Sequence, residues 1–400
     1  MMDNQLQRYR LWTMLTVIVP TIADLIWRTW LAAQHHTAKI GLLVMQVVLF
    51  VVFIGLIYLF LYHNGTGRWH SVLSYVVAIA FVEIVSVPLA DMLTVLHQMT
   101  HWPAWIMTPL GGVLLLWIAF LFAKVVMPEI KATWGRILLL LLATFGSFGY
   151  YPEFFWSPMG LVKYGLLGAA INVDLVGILL FVLASLIFMP GWGLKVPHWR
   201  FNSNLRWPIL TIGLLFATAY VVFNGFSTAE SWSALLTHWA VPHYPKLSLF
   251  YQALEAGIGE EWLHRGLIVI LLLSLPQRWV HRSPFTLALA SGGLFGLWHF
   301  ANFSVQTVPA TINQMIAAFG FGLFMAALYF YSGSISLVIA IHSISDLLAF
   351  FASGTTTMTT PNLFDWILTI ILVLLFAGFA ALLTTGKQRA VAQQTLDTLM

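Results

Sequence analysis

Gly257-Ile258-Gly259-Glu260-Glu261-Trp262-Leu263-His264-Arg265-Gly266 places two adjacent carboxylates, an imidazole and a guanidinium inside an apolar stretch from Leu247 to Leu275. A charge at bilayer depth costs about 2.5–3.5 kcal/mol on insertion scales, so such groups face a partner or a cavity. At about 100° per residue, Glu261 and Arg265 fall about 40° apart on one helix face, in the favourable acid-before-base i,i+4 order. Glu260 points about 100° away from Glu261, which leaves its carboxylate for another task. Two readings are open on these residues alone: a buried structural ion pair with a spare neutral Glu beside it, or a reacting carboxylate.

The surrounding chain sets the environment. Of 400 residues, 60% are hydrophobic and only 8% charged, and the mean hydropathy is +0.88. A soluble domain carries about 25% charge, so lipid must shield most of this chain, as in a multi-pass protein of the cell membrane. The absence of cysteine excludes disulfides, thiolate catalysis and thiolate metal ligands. A scattered net charge of +4 offers no patch for nucleic acid. No polar linker, clear repeat or low-complexity segment divides the sequence.

Apolar stretches of spanning length are Leu11–Ala33, Ile40–Leu61, Ser71–Leu96, Pro103–Val126, Leu166–Phe188 and Pro208–Phe226, with a shorter, Gly-rich one at Ile137–Tyr150. Leu247–Leu275, Phe285–Phe303, Pro309–Tyr331, Ile335–Phe351 and Leu363–Thr385 follow. The first is too long for a signal-peptide core and is interrupted by Asp24 and Arg28. The expected fold is therefore an all-α transmembrane bundle of about twelve spans. With the N-terminus inside, thirteen Lys and Arg fall on cytoplasmic segments and three (Lys39, Lys163, Lys246) on outer loops, which puts both termini in the cytoplasm.

Asp24 and Arg28, at i,i+4, are expected to neutralise each other, and Glu83, Asp91, Asn172 and Asp174 to act as interhelical hydrogen bonders. A transporter would instead use such groups to line a path. The segment Thr228–Lys246, with Trp232, Trp239, His238 and His243, suits a helix lying on the outer surface.

Polar groups collect on three late spans: Glu260-Glu261-x-x-x-Arg265, Phe295-Gly296-Leu297-Trp298-His299, and His342-Ser343-Ile344-Ser345-Asp346, whose His and Asp lie one turn apart on one face. One intramembrane His is ordinarily a hydrogen-bonded core residue. Two on separate helices, joined by carboxylates, have the parts to hydrolyse an amide: a desolvated carboxylate as base for water, a His that shares that water or binds a metal, and donors for the oxyanion. Gly257, Gly259, Gly266, Gly292 and Gly293 leave room for a wet cavity. H-E-x-x-H, a G-x-S-G serine, a paired-Asp motif ending in G-D, a P-loop and a dinucleotide fingerprint are all missing.

The ordered set Glu260-Glu261-x-x-x-Arg265, Phe295-x-x-x-His299 and His342-x-x-x-Asp346 resembles the CPBP family of intramembrane proteases, which includes CAAX prenyl endopeptidases and bacteriocin-processing or self-immunity proteins. Each motif alone is weak, but all three in order within about ninety residues are specific. The likeness spans Leu247 to Phe351 and leaves the preceding helices unexplained. It implies that Glu260 activates the attacking water with His299, that His342 and Asp346 support the oxyanion, and that Glu261 and Arg265, with Phe295, hold the site together. The prenyl-protease branch typically has Asn where Asp346 stands, and an ionised Asp cannot donate as Asn does.

The resemblance leaves a divalent metal such as zinc open, with Glu260, His299 and His342 as candidate ligands, and implies no other cofactor. The expected division is residues 1–246 as helices of unassigned role, 247–351 as a protease core, and 352–400 as a last span and cytoplasmic tail. The expected partner is a membrane-associated protein or peptide substrate met in the lipid bilayer. A non-proteolytic scaffold or self-immunity protein of the same fold is the alternative, and a transporter a further one.

Overall fold

The computed structural model describes residues 2–35, 40–62, 67–84, 86–146, 165–276 and 283–400. Regular structure among them is helical, apart from one isolated β-bridge between Ser227 and Trp239. The chain forms two compact units, residues 1–194 and 195–400.

The first unit contains α1 (Met2–His35), α2 (Ile40–Tyr62), α3 (Arg68–Ile84), α4 (Ser86–Thr100), α5 (Ala104–Val125), α6 (Thr133–Phe145), α7 (Gly165–Ile171) and α8 (Leu175–Gly191). Helix α1 packs on α2, α4 and α5, while α5 packs on α8 and α3 on α6. Buried Phe122 joins three helices: its ring lies 5.1 Å from Phe81 and 5.6 Å from Phe188. Asp24 is fully buried, while the side chains of Arg28 and Glu83 lie outside the described residues. Asn172 and Asp174 sit in the break between α7 and α8, two helices bent by 66°, and Asp174 has a left-handed φ of 59°.

The second unit contains α9 (Trp207–Phe226), α10 (Leu247–Glu261), a π-helical turn (Trp262–Ile268), α11 (Val269–Leu273), α12 (Pro284–Trp298), a 3-10 turn (His299–Ser304), α13 (Val308–Ser332), α14 (Ile335–Ser353), α15 (Leu363–Thr384) and α16 (Arg389–Leu399). Helix α13 is buried on every side from Gly320 to Ser332, as an all-round apolar helix requires. It packs against α12, α15 and α16, while α14 packs against α9 and α10. Local chemistry fixes the ends. Ser283 accepts from Thr286 N, Thr307 accepts from Ala310 N, and Asn362 with Asp365 forms a capping box. Gly333, at φ 80°, ends α13 and turns the chain toward α14.

Six helices are long and apolar enough to cross a membrane, and the bent pair α7–α8 makes a seventh. The protein is thus a multi-pass integral membrane protein, and six or seven of the expected twelve spans meet that test of length and composition among the described residues. Other expected stretches contain breaks that a hydropathy count runs across. Ser71–Leu96 is covered by α3 and α4, Leu247–Leu275 changes helix type at Trp262, and Phe285–Phe303 is a 15-residue helix continued as a 3-10 turn. Part of Ile137–Tyr150 lies outside the described residues.

One further expectation changes. Thr228–Lys246 contains no helix: Thr228 N donates to His238 O (3.0 Å) and Ala240 N to Phe226 O (2.9 Å), closing a loop instead. Pro242 and Pro245 disfavour helix there. The polar tail after residue 385 folds into α16, which buries Val391, Ala392, Leu396 and Leu399. Half its residues are polar, so a span search passes over it.

Candidate active site

Glu260 and Glu261 end α10, and the helix then widens into the π turn that carries His264 and Arg265. Such single π turns recur at functional sites because they re-aim the side chains that follow. Here Arg265 remains on the face of Glu261: its Nε lies 3.1 Å from Glu261 Oε2, and both side chains are fully buried. None of the three guanidinium nitrogens makes an aligned hydrogen bond among the described residues. The guanidinium instead lies over the Phe295 ring, 4.2 Å from its centroid, so the ion pair is supplemented by a desolvated cation–π contact. Gly322 on α13 makes room for it, since a Cβ there would meet Arg265 Nη2 at 3.1 Å and Phe295 Cδ1 at 2.8 Å.

His342, on α14, stands among three carboxylates. Its Nδ1–H donates to Glu261 Oε1 at 2.7 Å, and its Nε2 lies 3.7 Å from Glu260 Oε2 and 3.4 Å from Asp346 Oδ2. The His342–Asp346 proximity follows from the one-turn spacing seen in the sequence. Side-chain exposure divides the group. Glu261 and Arg265 are at 0% and His342 at 5%, whereas Glu260 retains 15% and Asp346 24%. Glu260 and Asp346 therefore form the accessible edge, and the Glu261–Arg265 pair lies behind it.

Phe295 centres the aromatic support. Its ring meets those of His264 (5.2 Å), His299 (4.9 Å) and His342 (5.8 Å), all edge-on. His299 begins the 3-10 turn after α12, and its Nδ1–H donates to Phe295 O at 3.0 Å, which leaves Nε2 uncommitted by that bond. His264 donates from Nδ1 to Glu260 O at 2.9 Å and receives Ser291 Oγ–H on its own carbonyl at 3.1 Å, which ties the π turn to α12. All seven residues singled out in the sequence thus lie in one neighbourhood. Two others join them from α9: Asn224 donates to Ser345 Oγ at 3.3 Å, and the Tyr220 ring lies 5.5 Å from Phe321, whose ring in turn lies 5.1 Å from His342. Their signal was two polar groups at i,i+4 within the apolar stretch Pro208–Phe226.

The glycines do not hollow out the site as expected. Gly257 abuts Ser343, Gly266 abuts Pro197, and Gly292 brings α12 against Leu323 N and Phe319 O of α13. They are close-packing positions, and Gly293 faces open space. Gly257→Ala should therefore force α10 from α14 and lower stability by about 1–3 kcal/mol. Gly293→Ala should be neutral or stabilising by up to about 1 kcal/mol. Thermal unfolding of the two variants side by side checks the contrast.

Among the described residues, no three His, Asp or Glu side chains converge as a metal ion would require. His342 Nδ1 is already committed to Glu261 and His299 Nδ1 to the Phe295 carbonyl.

Comparison with curated proteins and with solved structures gives no match. One family model does match, that of the type II CAAX prenyl endopeptidase Rce1-like family, over residues 242–348. The matched stretch runs from just before α10 to within α14 and so includes every residue of the cluster just described except Tyr220 and Asn224. Residues 242–348 of the chain are thus similar to the Rce1-like domain of type II CAAX prenyl endopeptidases.

Proposed function

We propose that the protein is an intramembrane endopeptidase that hydrolyses a peptide bond of a membrane-associated substrate of CAAX type, with Glu260 activating the attacking water. The observation that carries this reading is the accessible Glu260 carboxylate beside His342 and Asp346, backed by the fully buried Glu261–Arg265 pair. Glu260 takes a proton from water as the water oxygen bonds to the scissile carbonyl carbon. An N–H at His342 Nε2 donates to the resulting oxyanion. The proton on Glu260 then passes to the leaving nitrogen as the C–N bond breaks, and His299 Nε2 helps hold the water.

Before the oxyanion forms, Asp346 Oδ2, 3.4 Å from His342 Nε2, accepts that N–H and so holds the ring in place. Asp346→Asn preserves that acceptor, so turnover should stay within about tenfold of wild type, about 1.4 kcal/mol in the barrier. Steady-state rates of the two proteins check this.

Glu260, His299 and His342 remain the candidate ligands for a divalent ion such as zinc. The steps above need only the side chains, so a chelator is expected to leave turnover unchanged. We also take the broken stretches Leu247–Leu275 and Phe285–Phe303 as membrane passes and both termini as cytoplasmic, on the charge bias of thirteen to three.

The test is purified protein in lipid nanodiscs offered prenylated C-terminal peptides and membrane-spanning peptides, with and without chelator, and products read by mass spectrometry. Release of the residues after a prenylated position supports the reading. Uptake or binding of the peptides with no cleavage in any lane would replace it with a scaffold or immunity role.

A further inference from the structure

The first unit contains a cavity of about 820 Å³ that the proposed protease chemistry does not use, a size within the usual range for small-molecule sites. It opens where helix ends gather: the first turns of α1 and α3, the last turns of α2 and α5, and the link into α6. Three cations line it, Arg10, Lys124 and Lys131. The single acid of the lining, Glu129, lies 3.8 Å from His70 Nε2.

His70 is held in place by the Phe60 ring, stacked at 6.0 Å and 10°. With Nε2 toward Glu129, its Nδ1 is buried with no hydrogen-bond partner among the described residues. The hydroxyls of Ser71 and Tyr75 supply further polar contacts, while Phe60, Leu61 and Val125 make an apolar wall. A cationic rim at helix ends, above apolar side chains, fits a ligand with an anionic head and a hydrocarbon tail.

We propose that this cavity binds an anionic phospholipid, with the phosphate between Arg10, Lys124 and Lys131 and the acyl chain along the Phe60–Val125 wall. A zwitterionic lipid carries a cation that would meet the same three charges and is disfavoured. A free phosphate lacks the tail that the apolar wall receives.

The test uses full-length, delipidated protein and native mass spectrometry with phosphatidylglycerol, phosphatidylcholine or inorganic phosphate. Wild type should retain phosphatidylglycerol at least tenfold over phosphatidylcholine. The triple variant Arg10→Gln/Lys124→Gln/Lys131→Gln should lose about a hundredfold in phosphatidylglycerol affinity, at roughly a factor of five per charge. Glu129→Gln removes the one opposing charge and should bind severalfold tighter, a gain that a misfolded protein would not show. Equal retention of the two lipids, unchanged binding by the triple variant, or displacement of the lipid by millimolar phosphate alone would overturn the proposal.

Discussion

Glu260→Gln should lower turnover by about 10²–10⁴-fold, the usual contribution of a positioned general base, while the unfolding temperature stays at the wild-type value. The amide has the shape of the carboxylate but cannot take a proton from water. The structure also explains why stability should hold. Glu260 is the partly exposed member of the pair, 3.7 Å from His342 Nε2, and the ion pair with Arg265 belongs to Glu261. His342 keeps its 2.7 Å hydrogen bond to Glu261, so no buried group is orphaned. Rates by product mass spectrometry and unfolding by intrinsic Trp fluorescence separate the two effects. A variant that unfolds early would mean that Glu260 is structural.

Arg265→Ala should have the opposite profile, a loss of stability of about 3–5 kcal/mol, as when one partner of a buried pair is removed. Glu261, at 0% exposure, would keep only the His342 donor. The space over Phe295 would also lose its cation, which sits 4.2 Å from the ring centroid. Arg265→Lys should recover part of the loss, because it restores charge without the planar face that lies on the ring. Denaturant or thermal unfolding in detergent measures this. A stable but inactive Arg265→Ala would show that the roles of the two glutamates are wrongly divided.

These two glutamates also show how far the sequence could be read. Helical spacing alone put Glu261 and Arg265 on one face and turned Glu260 away, and the geometry follows that division even though the helix widens between them. The His342–Asp346 pairing was legible for the same reason, since i,i+4 neighbours are set by local geometry. The convergence of α10, α12 and α14 was legible only through the motif order and its family likeness, because helix packing is a long-range property. The π turn at Trp262–Ile268 left no mark in periodicity.

Small residues misled in one respect. Gly257 and Gly292 suggested a cavity, but in lipid small residues bring helices together, and each is filled by the neighbouring helix. The break at Asn172–Asp174 was not legible, because hydropathy adds apolar residues across a broken helix. Tyr220 and Asn224 were missed because neither belongs to a motif, although Asn224 reaches Ser345 and Tyr220 meets Phe321 beside His342.

The most direct measurement is cleavage of a prenylated C-terminal peptide by wild type, Glu260→Gln and Arg265→Ala in the same nanodiscs, with the unfolding midpoint recorded on each preparation. Cleavage by wild type, none by a fully folded Glu260→Gln, and early unfolding of Arg265→Ala is the predicted result. Cleavage by Glu260→Gln at the wild-type rate would contradict the assignment of Glu260 as the base and, with it, the proposed mechanism.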